Sequence, residues 1–210
     1  MPWEKSFDTE DALGKAMAAF WAHGYEATSM QDLVDCMGIG RGSLYAAFGD
    51  KRRLFLRALA LYDDRHRRQW SERLSASMSP RQAILAAFDE VIAATLGGAR
   101  DGCLMVNTSL ERSPHDPEIA AMVGKALKGM ENFFRRMIRS GQAAGEIAPD
   151  IDADEVAPGL LALLAGLRVL SRARPDEALM RGVARQAEAL LGSVANLAEP
   201  EMSEKPGRNQ

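Results

Sequence analysis

The chain is 210 residues long, 47% hydrophobic and 6% aromatic, with a formal net charge of −3. That length supports a sizeable core in one large or two small domains, and a supply of Ala, Leu and Met with few aromatics favours helices over sheets. The lack of a basic surplus excludes nucleic-acid binding by bulk charge, so a nucleic-acid partner would need a local patch.

The N-terminal stretch MPWEKSFDTEDALGK carries acids and no apolar run, so no secretory signal is read there. Residues 9–23 are predicted as a first helix, with Leu13, Ala16, Met17, Phe20 and Trp21 on one face and Gly24 as its stop. Thr28 and Ser29 are both good N-caps for a short second helix striped by Met30, Leu33, Val34 and Met37 and closed by Gly38. Thr28 with Gln31 has the form of a capping box, and Ser29 is the other candidate. Residues 41–48 form a third short helix, with Leu44, Ala47 and Phe48 inward and Gly49 ending it. Asp50 caps a fourth that runs from Lys51 to about Arg73 without Gly or Pro, its far end charged. Further helices are expected at 80–96, 103–112, 117–144, 152–173 and 176–197, with Pro175 separating the last two. The tail 198–210 has the composition of disorder. The sum is an all-α chain of about nine helices.

The segment GIGRGSLYAAFGDKRRLF, from Gly38, carries the functional question. Alternate glycines before Ser43 suggest a phosphate-cradling loop, but such a loop follows a strand and opens a helix. Here the preceding MQDLVDCM has helical spacing, the pattern is GxGxGS, and no Walker lysine follows. The fitting alternative is a helix–turn–helix, in which a second short helix offers its outer face to the DNA major groove. That face would present Arg41, Gly42, Ser43, Tyr45 and Ala46. Arg41 can fork onto a guanine edge or a phosphate, Ser43 and Tyr45 can donate to phosphate oxygens, and Gly42 and Ala46 permit close approach. Residues 41–57 hold five basic side chains against one acid, the local patch that the net charge requires. Lys51 opens the next helix, where its charge adds to a favourable helix end for phosphate.

The stretch AMAAFWAHGYEATSMQDLVDCMGIGRGSLYAAFGDKRRLF resembles the N-terminal domain of TetR-type transcriptional regulators, over about residues 9–55. The features that carry the likeness are the HGYEATSM approach, the G-x-x-x-G-S-L-Y turn and helix, the Phe of YxAF, and Lys51. The resemblance implies a helix–turn–helix domain over 1–50 and a ligand-binding and dimerisation domain over 51–197. It also implies a cytoplasmic homodimer joined through 152–197, a double-stranded operator as partner, and repression until a small-molecule inducer binds. Thr28, Ser29, Arg41, Gly42, Ser43, Tyr45, Ala46 and Lys51 are then the expected DNA-binding residues. Two departures stand out: Ala46 and Ala47 replace the aromatic or His found in many members, and Arg53 stands where an acid is common.

In the larger domain, VAPGLLALLAGLRVL is apolar nearly all round, contains Pro158 and Arg168, and is short for a bilayer. No membrane partner is expected, and the two-fold dimer covers this helix. Candidate pocket residues are Trp70, Phe88, Met105, Asn107, Phe133, Phe134, Met137 and Leu164, with Thr108 and Glu111 as further polar groups. Cys103 starts a helix with Arg100 nearby, a setting that activates a thiol, and GCLMV is similar to the segment through which some TetR-type regulators sense electrophiles or oxidants. Cys36 is expected in the core. Two cysteines make no disulfide framework or zinc pair, and His23, His66 and His115 share no ligand spacing, so neither metal nor cofactor is expected. Asp63 and Asp64 beside arginines read as a solvated face, and no Ser/His/Asp arrangement marks an enzyme. The competing class is a helical small-molecule-binding or enzymatic protein that binds no operator.

Overall fold

Capping residues set most helix limits in the computed structural model, which describes residues 7–192. Asp8 accepts the Glu10 and Asp11 amides to open α1 (Thr9–His23), and Gly24 ends it at φ 86°. α2 (Met30–Met37) opens on a reciprocal box: Ser29 Oγ accepts the Asp32 amide at 3.1 Å, and Asp32 accepts the Ser29 amide at 2.7 Å. The cap is therefore Ser29, not Thr28. α3 (Arg41–Phe48) follows, and Asp50 caps α4 (Lys51–Tyr62) by accepting the Arg53 amide.

α4 does not stop at Tyr62. It passes through a π-helical turn, Asp63–Arg68, into α5 (Gln69–Ser77), so one rod spans the positions read as a single helix. The remaining helices are α6 (Pro80–Leu96), α7 (Leu104–Glu111), α8 (Pro117–Ala143), α9 (Ala153–Ala173) and α10 (Glu177–Ala189). With the rod counted once, the described residues form nine helices and no strand. The last helix ends earlier than its predicted limit of 197, and 193–197 together with the tail 198–210 lie outside the described residues.

Two apolar cores form. One joins α1–α4 to the starts of α7 and α8: Phe20, Leu33, Leu44, Phe48, Leu54 and Phe55 share it with Leu104, Met105, Ile119 and Val123. The other lies among α6, α8, α9 and α10, around Phe88, Phe133, Phe134, Leu160 and Leu167. The rod borders both cores, and the first core runs straight across position 50.

Polar clamps reinforce that join. Arg52 grips Asp116 with two hydrogen bonds, of 2.7 and 3.0 Å, and reaches Glu118 as well. Those bonds hold the Asp116 carboxyl at about 2, well below its ordinary value. Glu111, at the end of α7, accepts the Tyr25 and Glu26 amides at 3.0 and 2.8 Å. Arg172 of α9 donates to the carbonyls of Asp101 and Ala22. By length and composition α9 could cross a bilayer, but Ala157, Leu160, Leu164 and Leu167 are packed into the second core. Its Ala162, Gly166 and Val169 stay exposed.

Candidate functional site

Of the three alternate glycines Gly38, Gly40 and Gly42, the turn between α2 and α3 depends on one. Gly38 sits at φ 68°, in the left-handed region, and its amide closes α2 onto Val34 and Asp35. Ile39 then plugs the core. Gly40 caps α3 at an ordinary φ of −67°, and a Cβ at Gly40 or Gly42 would meet nothing within 4 Å. Neither the backbone nor the packing explains those two glycines. They leave open the first turn of α3, where no side chain caps the amides.

α3 anchors itself through Leu44 and Phe48 and turns Arg41, Gly42, Tyr45 and Ala46 to solvent, with Ser43 half-buried. Tyr45 is 48% exposed, high for an aromatic side chain. The basic cluster is mostly committed elsewhere. Arg52 is held by Asp116, and Arg57 donates to the Ala47 carbonyl at 3.0 Å while covering the Phe48 ring. Lys51 leans over Tyr25, 4.4 Å from its centroid, and reaches the Glu26 carbonyl. Arg53 is loosely paired with Asp50, with a side chain 74% exposed. Arg41 and Arg53 are thus the cations most open to an anionic partner.

Two expected residues are placed differently. Thr28 is 1% exposed and its hydroxyl donates to the Gly24 carbonyl at 2.6 Å, so its side chain closes the α1–α2 turn and does not face outward. Cys36 is exposed, because α2 buries Leu33 and Met37 and leaves Cys36 on the solvent side of that stripe.

A cleft opens where the rod, α7, α8 and α9 meet. It encloses about 560 Å³ with its mouth included and is lined by Tyr62, His66, Arg67, Trp70, Cys103, Met105, Leu161, Leu164 and Arg168 among others. Of the residues expected to line a pocket, Trp70, Met105 and Leu164 do, and Cys103 joins them. Phe88, Phe133, Phe134 and Met137 are instead packed into the second core. Asn107 holds the loop before α7 by donating to the Asp101 carbonyl at 3.0 Å. Thr108 is buried away from the cleft, and Glu111 faces the α1–α2 turn. The Asp63–Arg67 pair is half-buried, because Gly129 lets the guanidinium lie against α8. It is not the solvated face expected from its composition.

Tyr62, His66 and Arg168 line the cleft but fall outside the residues that the sequence singles out for a pocket. Leu161, Leu164, Ala165 and Arg168 repeat at helical spacing on α9, so the arginine interrupting that apolar helix was the available signal. Burial first, then the nearby Arg168 and Arg65, holds the His66 imidazole below its ordinary value. Among the described residues, no three His, Cys, Asp or Glu side chains gather as a metal set.

Comparison with known proteins fits both halves. Residues 12–58 match the family model for bacterial regulatory proteins of the tetR family, and residues 80–187 match a tetracyclin repressor-like C-terminal domain. The HTH-type transcriptional repressor ComR of Escherichia coli K12 is 34% identical over 80% of this chain and 81% of its own length. The HTH-type transcriptional regulator YezE of Bacillus subtilis 168 is 38% identical over 68% of this chain and 74% of its own. Among solved structures, a cysteine-substituted form of the TetR family regulator CifR, in complex with 26-bp double-strand operator DNA, superposes with a TM-score of 0.75. It is 32% identical and covers 87% of this chain and 95% of that one.

Proposed function

This chain belongs to the TetR family of bacterial transcriptional regulators, and from that premise we propose that it is a repressor, binding a palindromic operator as a homodimer and released when an inducer enters the cleft. The observation that carries the reading is the outward face of α3: exposed, nearly free of protein partners, and preceded by amides that no side chain caps. Arg41 reads a base edge or a phosphate, and Ser43 and Tyr45 donate to the backbone. Gly42 and Ala46 let the helix sit close, while Ser29, Lys51 and Arg53 flank the phosphates. The uncovered apolar side of α9, with Val169 44% exposed, supports pairing of subunits through 153–189. A protein of this design acts in the cytoplasm and needs no enzymatic activity. Inducer and operator compete because each favours a different separation of the two reading helices.

The test is fluorescence anisotropy on a fragment of the protein's own promoter. Affinity falls linearly with salt on logarithmic axes, and Arg41→Ala and Tyr45→Ala each lower it at least about tenfold while the protein stays dimeric. Undiminished affinity in both folded variants overturns the reading. Cys103 on the cleft wall, beside Tyr62, supports a second reading in which the inducer is an electrophile or oxidant. Induction by a quinone that survives Cys103→Ser rules it out.

A further inference from the structure

The cleft's wider recess is lined by Trp21, Tyr62, Arg65, His66, Gln69, Trp70, Arg73 and Arg168, and it shares Tyr62, His66, Trp70 and Arg168 with the apolar part described above. The recess is rich in donors, and most are already engaged. Arg65 pairs with Glu10, Arg73 with Glu90, and Arg67 at the border with Asp63. Trp70 donates its indole N–H to Glu90 at 2.6 Å, and Gln69 donates to Asp64. Three donors are left over, one of them the ring N–H of the His66 imidazole. Among the described residues no carboxylate pairs with the guanidinium of Arg168, a half-buried residue of the recess. The Trp21 indole N–H is buried and has no acceptor.

A half-buried cation without a counter-charge, lining the same recess as a buried donor without an acceptor, is costly in a protein with acids to spare. The residues around it do not offset that cost. His66 is held toward its neutral form, partly by Arg168 itself, and Tyr62 is pushed far above its ordinary value, chiefly by burial. Neither supplies negative charge at neutral pH. The apolar part, with Met105, Leu161 and Leu164, offers an incoming molecule a hydrocarbon surface instead.

We propose that the cleft receives an organic monoanion, a carboxylate on an apolar or aromatic body, with Arg168 binding the carboxylate and Trp21 supplying a second donor. A guanidinium fork matches a carboxylate bidentately, and a single cation compensates a monoanion better than a dianion. The proposal rests on the inducer reading above and gives it a chemical class. It also gives it a lever. Trp21 belongs to α1, Arg168 to α9, and His66 to the π-helical turn of the rod. Trp21 stands edge-on to Tyr62 and His66, with ring centroids 5.0 and 4.9 Å away. An anion in the recess therefore engages the DNA-binding end and the bundle at one point.

Calorimetry on the full-length dimer tests this with benzoate, cinnamate and octanoate, each paired with its primary amide. At least one carboxylate is expected to bind about tenfold or more tightly than its own amide, a difference of about 1.4 kcal/mol. Arg168→Gln erases the preference while the amide still binds, which reports an intact cleft, and Arg168→Lys keeps part of it. Trp21→Phe weakens the carboxylate more than the amide. Equal binding within every pair, no binding by any carboxylate, or a preference that survives Arg168→Gln overturns the proposal. Operator binding is measured first on the same wild-type sample. Its absence removes the regulator reading, whereas intact operator binding with no carboxylate preference removes only this inference.

Discussion

The reading face and the cleft are built on opposite plans. The face comes from one short stretch, Gly38 to Lys51, in which a left-handed glycine, two anchors and a helix start are neighbours in the chain. The cleft draws Tyr62 of α4, Cys103 at the cap of α7 and Arg168 of α9 together from far apart in the chain. A local site can be assembled by turn chemistry alone, while a distributed one exists only once the helices have packed. The contrast suggests two modules, yet the first core runs from α1 through α4 into α7 and α8, so the two regions share their interior.

The largest expected effect breaks or confirms that sharing. Phe55 is fully buried, with its ring 4.9 Å from both Phe20 and Tyr25, in the core that Met105 and Val123 also enter. Phe55→Ala should cost about 3–5 kcal/mol. With the first core shared between the reading end and the bundle, calorimetry shows a single transition moving down as a whole. A separate early transition, with the bundle melting where it did before, would mean that the reading end is an independent module.

Glu111 comes next, because it is the polar link from α7 to the α1–α2 turn. Glu111→Ala leaves the Tyr25 and Glu26 amides without their acceptor, at about 1–2 kcal/mol. Amide exchange should quicken at those two positions and stay slow around Phe88. Unchanged exchange at Tyr25 would show that Arg112, stacked on its ring, suffices to hold the turn.

A smaller effect separates structure from recognition within the reading end. Thr28→Val removes the hydroxyl bonded to Gly24 and should cost about 1 kcal/mol of stability. It should leave the salt slope of operator binding where it was, because that side chain never reaches the surface. A lowered slope would return Thr28 to the contact set.

How much could be read in advance follows the same division. The limits of α3 were legible because Gly40 and Gly49 bracket it, and its outward residues because Leu44 and Phe48 fix the facing. The charge count over 41–57 was legible, but its meaning was not. Arg52 is claimed by Asp116, 64 positions away, and no local pattern announces that. The aromatic pocket candidates failed for a related reason. Phe88, Phe133 and Phe134 carry the same apolar signal whether they line a cavity or fill a core, and packing against one another decided it. Arg168 was visible as an interruption in an apolar helix, and only the neighbouring helices show that it faces a recess.

The finest distinction concerns the Arg52–Asp116 clamp. Asp116 has its folded-state value depressed to about 2, from 3.8, by the Arg52 hydrogen bonds first and by the Ile119 and Glu118 amides as well. A depressed carboxyl stabilises the fold fully above its unfolded value, and that contribution is lost as pH falls through the folded one. The loss therefore runs between about pH 4 and pH 2 and reaches at most one proton. Asp116→Asn keeps a cap for the α8 amides but removes the charge, and Glu118 remains to meet Arg52, which keeps the change small. The variant should melt slightly lower at pH 7, fall less steeply between pH 4 and 2, and converge with the wild type below that. Other carboxylates with depressed values, Asp32, Asp64, Glu131 and Asp154, contribute equally to both curves, so the difference isolates this pair. Parallel acid limbs would mean that the clamp adds no stability of its own, and the join between the reading end and the bundle would then rest on the shared apolar core and the Glu111 cap.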